Sequence, residues 1–367
     1  MKKTRICHLS SVHPRNDIRV FYKECISLSD HFEVYLIVAD GKGDEVLSNI
    51  NILDVGMPKS RIDRLLHTSN KIYEKALGIK AEIYHFHDPE LIFIGHKLRK
   101  KDKKIIYDVH EDVPRQILAK PYIFRPIRKI ISILTEVNEN HFSRKFDAII
   151  CATPHINERF LKINPKSFNI SNFPILKEFE TINKKWNERK NSICYIGGIT
   201  RERGILELVE ALGYSDCQLS LAGAFDSEEI FNLAKENENW KKVKYYGQVD
   251  RQKIVEILSS SKIGMVTLRL TPNHLESLPI KMFEYMAAEI PVITSNFPVW
   301  KKIVESNNYG LCVNPMDPEE IGKAINRLLN NADEAKTMGE NGRKAVIERF
   351  NWERESEKLI LIYKTLI

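Results

Sequence analysis

Two carboxylates, Glu276 and Glu284, stand eight residues apart in the stretch ESLPIKMFEYMAAEIPVITS, residues 276–295. Between them lie Ser277, Leu278 and Pro279, then a helix-forming run from Ile280 to Ala288. Pro291 to Thr294 follows as a β-rich run. Pro279 suits the first turn of a helix, where its missing N–H costs nothing. The backbone N–H groups around Ser277 to Ile280 are then expected to point out of a helix N-terminus, an ordinary place to hold an anion. Glu276 precedes that end and Glu284 lies along the helix. One carboxylate on each side of a diphosphate can grip two sets of hydroxyls, as a nucleotide-sugar would present them. Glutamate is common, so spacing alone is weak. The agreement of loop, helix and strand around the pair gives it weight.

A second chemical segment is Gly197-Gly198-Ile199-Thr200-Arg201-Glu202-Arg203-Gly204, a turn between a strand and a helix. Glycines let backbone approach a ligand, and arginines at a helix start suit a diphosphate. A charged surface turn is the plain alternative. In the first half, polar residues cluster after strands: His13, Arg15 and Asn16, then His87-Asp88-Pro89-Glu90, then Asp108-Val109-His110-Glu111-Asp112. His85 and His87 alternate with Tyr84 and Phe86, so one of them can simply pack in a sheet. A metal set of His87, Asp88, His110 and Glu111 is the weaker reading, because no pair has helical or hairpin ligand spacing.

These residues need elements to hold them. Thr4–His8, Glu33–Ala39, Ile83–Phe86, Lys104–Tyr107, Ala148–Ala152 and Phe168–Ile170 read as strands alternating with helices. Asp17 is a cap for a helix from Ile18. Ile175–Ser192, rich in Lys, Glu and Asn, reads as a surface linker. The alternation then restarts with Ile193–Ile196, Gln218–Ala222, Lys244–Tyr246 and Ile263–Leu268. This predicts an α/β chain of two doubly wound, Rossmann-like domains, residues 1–175 and 176–351. Ligands in such sheets bind beyond the carboxyl ends of the strands.

The 367 residues suffice for two domains, and 43% hydrophobic with 29% charged content is ordinary for a globular protein. The six cysteines show no C-x-x-C pattern, which argues against a disulfide framework or zinc cluster and for a reducing, cytoplasmic setting. The opening MKKTRICHLSSVHP lacks the apolar run of a signal peptide, and no stretch approaches the roughly 18 apolar residues of a membrane span. Residues 1–200 carry 34 Lys+Arg against 24 Asp+Glu, whereas residues 201–367 carry 22 against 25. The basic excess includes Lys97–Lys104 and Arg125, Arg128 and Lys129. It attracts anionic surfaces, or is a solvated helix end.

The stretch 276–295 resembles the E-x7-E signature of retaining glycosyltransferases of the GT-B fold, family 4, of the bacterial surface-polysaccharide type. That resemblance implies two domains facing a cleft, with the last helix, 352–367, crossing back to the first domain and Trp352 and Tyr363 as anchors or core. It places Glu276 on the donor sugar and Glu284 on the ribose. The remaining donor contacts implied are Gly198, Arg201, Arg203, Gln248, Val249, Ser277, Leu278, Pro279 and Lys281. The Gly247-Gln248-Val249 turn would flank the base. In the family an Arg follows the first Gly and a Lys precedes the last. Here Gly198 and Arg203 hold those places, and Arg201 is the candidate to supply the missing charge. His110 resembles the family's strand-end His at the reacting centre, so His110 and Glu276 are the catalytic candidates. Glu111 and Asp112 are expected to orient His110 or meet the acceptor, with Arg15 and His87 also on the acceptor side. The implied activity is hexosyl transfer from a UDP- or GDP-sugar, without metal or other cofactor. The acceptor expected is a lipid-linked glycan of capsule or lipopolysaccharide assembly, and the basic residues of the first half, Lys97–Lys104 or Arg125–Lys129, suggest peripheral docking on anionic lipid at the inner face of a membrane. A nucleotide-sugar 2-epimerase of the same fold is the runner-up. A nucleic-acid binder is the non-enzymatic alternative, and the chain lacks the interleaved aromatic and basic residues that stack bases.

Overall fold

The structure, a computed structural model, describes residues 3–119, 123–182 and 184–367. It forms two compact units, one of residues 1–172 with 352–367 and one of residues 173–351.

The first unit is built on an eight-stranded sheet. Its strands are β1 (Arg5–Leu9), β2 (Glu33–Val38), β3 (Glu45–Leu47), β4 (Ile50–Asp54), β5 (Ile83–Phe86), β6 (Lys104–Val109), β7 (Ala148–Cys151) and β8 (Ser167–Asn169). The spatial order is β3-β4-β2-β1-β5-β6-β7-β8, parallel except for the β3–β4 pair. The inner strands are almost wholly buried, as expected where helices cover both faces. β3 and β4 escape the sequence pattern because β3 is three residues long and fully exposed. Asp17 caps the following helix by accepting from the Arg19 and Val20 N–H groups. That helix is π-wound over Ile18–Cys25 before turning α over Ile26–Ser29. The final helix, Trp352–Leu366, belongs to this unit. Trp352 Nε1 donates to Ser27 Oγ at 2.9 Å, and the Tyr363 ring is fully buried.

The second unit has a six-stranded parallel sheet of β9 (Ser192–Ile196), β10 (Gln218–Ala222), β11 (Val243–Gly247), β12 (Ile263–Val266), β13 (Val292–Ser295) and β14 (Gly310–Val313). The order is β11-β10-β9-β12-β13-β14. The chain leaves β9 in one direction and returns at β12 in the other, so the crevice for a ligand lies at the ends of those two strands. In the first unit the same reversal falls between β1 and β5.

The segment 175–192 is not the surface linker its composition predicts. Phe179 and Trp186 are buried in the second unit. Arg189 is buried too, donating to the carbonyls of Ser261 at 3.1 Å and Ala288 at 2.9 Å. Two aromatic anchors and one guanidinium suffice to fix a stretch that is otherwise polar.

Candidate active site

In the second unit, the turn after β9 and the loop after β12 bring the chemical residues together. Gly197 has φ +111°, and Gly204, at φ +73°, closes the turn where a Cβ would overlap the Thr267 carbonyl oxygen. Arg203 folds back over the turn, its Nη1 donating to Gly198 O at 3.1 Å. Tyr195 on β9 holds the same carbonyl through its hydroxyl at 2.9 Å. Lys281, on the helix Ile280–Ala287, reaches the turn from the other side. Its Nζ lies 3.6 Å from the Tyr195 ring centre, in cation–π contact, and a Cβ on Gly197 would stand 3.5 Å from it. The Lys281 side chain is buried, and its ammonium has no hydrogen-bond partner among the described residues. Burial, then the charge of Arg203, pushes its pKa well below the ordinary lysine value. The charge at this turn therefore comes from Lys281 beside Arg203. Arg201, expected to replace the cation missing at Gly198, is exposed.

Pro279 is the cap residue of this helix, one place earlier than the first-turn position expected. The Ser277 N–H, expected to face an anion, turns back to His274 O at 3.3 Å. Trp300 Nε1 pins the loop by donating to Ser277 O at 2.7 Å, and Leu278 packs on the core. Glu276 is exposed at the end of the short helix Pro272–Leu275. Glu284 is buried and accepts from Arg251 Nη1 at 2.8 Å, while Arg251 also pairs with Glu178. Gln248 is exposed and Val249 half-buried after Gly247, which sits at φ +67°. Sequence reasoning missed Arg251 and His274. His274 Nδ1 donates to Arg269 O at 2.9 Å. Burial lowers its pKa, and the charges of Arg203 and Lys281 add to that. Neither residue belongs to a spacing pattern, so only the fold reveals them.

In the first unit, strand alternation gathers a buried polar network. His8 on β1 is the register partner of His85 on β5, so the two share a face. His87 follows two residues on. His8 Nδ1 lies 2.9 Å from His87 Nε2, and Tyr363 OH bridges His85 Nδ1 at 2.8 Å and His8 Nε2 at 3.1 Å. From β6, Asp108 Oδ2 meets His110 Nε2 at 2.9 Å and His87 Nδ1 at 3.2 Å. Arg19 grips Asp108 with two nitrogens, at 2.9 and 3.1 Å. Burial works to raise the Asp108 carboxyl, but Arg19 and His110 hold it well below the usual range. Burial and the Asp108 charge push the neighbouring Glu24 carboxyl up. Of the two carboxyls, Asp108 is therefore the more acidic. Burial, first of all, lowers the pKa of His8, His85 and His87.

His110 is the member of this network at the rim, its side chain about one-fifth exposed. Its orienting carboxylate is Asp108. Glu111 does not fill that role, because it is exposed and accepts from Gln116. Asp112 faces Arg159 and Arg115 instead. His13, singled out only as a loop residue, packs its ring 4.8 Å from His110 and bonds Asp17 at 3.1 Å. Arg15 is not free for an acceptor. It clamps Asp40 with two nitrogens and Glu45 with a third. The metal set drawn from sequence is also wrong in two members. Asp88 accepts from Ser10 Oγ at 2.9 Å and Ser11 N at 2.6 Å, fixing the loop after β1. The groups whose ligand atoms converge within 4.8 Å are His87, Asp108 and His110, and His8, Glu24, His85 and His87.

Comparison with known proteins agrees with this architecture. Residues 177–345 match the family model described as glycosyl transferases group 1. An uncharacterized glycosyltransferase of Methanocaldococcus jannaschii is 24% identical over 319 residues, covering 79% of this chain and 78% of the relative. A capsular polysaccharide biosynthesis glycosyltransferase of Staphylococcus aureus is 25% identical over 224 residues, 56% of each chain. Among solved structures, a sucrose-phosphate synthase of Thermosynechococcus elongatus superposes with a TM-score of 0.79 at 19% identity over 99% of both chains. Anabaena HepE in complex with UDP and glucose superposes with a TM-score of 0.74 at 14% identity, over 99% of this chain and 100% of that one. Two parallel-sheet units and the superposition on solved structures give the chain the GT-B fold, and its second unit is similar to the glycosyl transferases of group 1.

Proposed function

We propose that the chain is a retaining, metal-independent hexosyltransferase that draws on a nucleoside-diphosphate sugar. The observation that carries this reading is the buried, unpartnered ammonium of Lys281 beside Arg203 at the Gly197–Gly198 turn. A diphosphate there would give both cations the counter-charge they lack. Glu276 would meet the sugar and Glu284, steadied by Arg251, the ribose. The UDP bound by HepE makes uridine diphosphate the first donor to test. As the sugar leaves, negative charge grows on the β-phosphate. Fixed cations aimed at that charge stabilise the transition state more than the ground state. Same-face attack, with the leaving phosphate taking the acceptor proton, needs no protein nucleophile. In the first unit His110, aligned by Asp108, is proposed at the reacting centre. The likeness to a capsule-synthesis relative supports a lipid-linked glycan acceptor.

The test combines ligand-induced thermal stabilisation with turnover. A ligand that binds only the folded state raises the melting point. UDP or GDP is expected to stabilise the wild type. Glu276→Ala, at an exposed site, should keep its fold and its nucleotide shift while losing turnover. No shift with any nucleoside diphosphate, or unchanged turnover in Glu276→Ala, overturns the reading. Isomerised nucleotide-sugar without released nucleotide would instead identify an epimerase.

A further inference from the structure

The helix Arg125–Ser143 is amphipathic the wrong way round. A surface helix ordinarily turns its apolar stripe to the core and its polar face to water. Here Ile127, Ile130, Ile131, Ile133, Leu134 and Val137 face solvent, with Ile130, Leu134 and Val137 each more than half exposed at 58, 57 and 59%. Five of the six follow the three- and four-residue spacing of one stripe. The inward side is polar. Ser132 is buried and donates to Pro114 O at 2.7 Å. Glu139 is buried, accepting from Tyr107 OH at 2.8 Å and pairing with Arg159. Those bonds fix the helix rotation, so the apolar stripe cannot roll inward without stranding a buried carboxylate.

The far end of the stripe is basic. Phe142 packs its ring 5.1 Å from Phe93 and 5.1 Å from His96, both on the helix Ile92–Arg99. That helix runs out into Arg99, Lys100 and Lys101, all exposed, and the half-buried Lys103, with Arg144 and Lys145 exposed just beyond Ser143. The cations lie close enough together that, after burial, Lys100, Lys145 and Arg99 lower the pKa of His96. No described helix is long and apolar enough to cross a membrane. An exposed apolar stripe ending in clustered cations matches one surface, the headgroup–acyl boundary of an anionic bilayer.

We propose that the outward face of the helix Arg125–Ser143, with the Arg99–Lys103 cluster, docks the enzyme on an acidic lipid bilayer. The proposal rests on the acceptor half of the function proposed above and is independent of its donor half. Docking brings the first unit to the surface where a lipid-linked acceptor resides.

Co-sedimentation with vesicles tests this without any donor. The wild type is expected to sediment with phosphatidylcholine–phosphatidylglycerol vesicles at low salt, and less with phosphatidylcholine alone. Ile130→Ser with Leu134→Ser should weaken the partition at least about tenfold. Lys100→Glu with Lys101→Glu should remove the preference for acidic lipid. UDP-induced stabilisation, measured on the same variants, reports their fold and the donor site. Absence of sedimentation, or equal sedimentation of wild type and the Ser variant, overturns the docking face whatever UDP does. A self-association in analytical ultracentrifugation that the Ser variant abolishes, without vesicle binding, also overturns it and makes a second copy the occupant. Vesicle binding without a shift by any nucleoside diphosphate leaves docking intact and removes the donor reading.

Discussion

Replacing Lys281 with Met should make the protein more stable and a worse binder at once. The ammonium is buried, without a hydrogen-bond partner, and faces the Tyr195 ring and the Arg203 charge. Taking an ammonium out of water costs several kcal/mol. A desolvated cation–π contact returns about 2 kcal/mol of that. Met keeps the length and apolar stem, so the substitution should stabilise by roughly 1–3 kcal/mol. For a unit of this size that is a rise of about 2–10 °C in melting temperature. Nucleotide binding moves the other way. Losing one charge-assisted hydrogen bond to the diphosphate costs about 1.5–3 kcal/mol, or roughly 10- to 150-fold in Kd. A pH signature accompanies the change. The lysine pKa is depressed in the folded state, so the unfolded chain binds more protons through the range up to about pH 10. The lysine's own contribution to stability therefore rises with pH there, and the difference in stability between the Met variant and the wild type should shrink as pH rises. Thermal denaturation without ligand and calorimetric titration with UDP measure both quantities. A lower melting temperature together with unchanged UDP affinity would refute the assignment of Lys281 to an anion.

Two further outcomes follow from the same bookkeeping. His8, His85 and His87 are buried with lowered pKa values. Their stabilising contribution is complete above the unfolded histidine value of about 6.5 and is lost as pH falls below it, at up to about 4 kcal/mol per pH unit for three protons. His13, whose pKa is raised, and Glu24 and Glu139, whose carboxyls burial pushes up, work the other way, each by at most one proton. His85→Gln, with one neutral buried imidazole fewer, should lose about one proton's share of the fall in stability between pH 7 and 5, and a pH slope unchanged from the wild type would contradict the neutral buried triad. Gly204→Ala forces a left-handed backbone on a residue whose Cβ overlaps the Thr267 carbonyl. It should cost about 2–4 kcal/mol in chemical denaturation, and a loss within 0.5 kcal/mol would show that the turn relaxes.

Much of the architecture is legible in the chain because parallel strands buried on both faces leave apolar runs that stand out. Ile83–Phe86 and Gln218–Ala222 coincide with the observed strands. What escaped obeys no period. β14 begins on Gly310, which weakens the strand signal, yet any Cβ there would overlap the Val292 carbonyl. The segment 175–192 looked solvated because two aromatic anchors do not change an average composition. At the site, Glu276, Glu284 and Lys281 were readable from one loop and helix. The approach of Lys281 to the Gly197 turn was not, since the two positions are 84 apart in sequence and meet only across β9 and the helix Ile280–Ala287. Asp108 was passed over as His110's partner in favour of Glu111 and Asp112, because the strand was read as ending at Tyr107 whereas β6 runs on to Val109 and buries Asp108.

The chain order of the first unit has a kinetic consequence. Its sheet is complete by residue 169, but His8 and His85 acquire their shared partner only when Tyr363 arrives. During synthesis, at about 5–20 residues per second, the intervening 173–351 emerge first. The contiguous second unit can thus close while the first still holds two buried imidazoles short of a hydrogen bond. The last helix then acts as a late latch, and a ribosome that stops short of it leaves the second unit folded and the first unfinished.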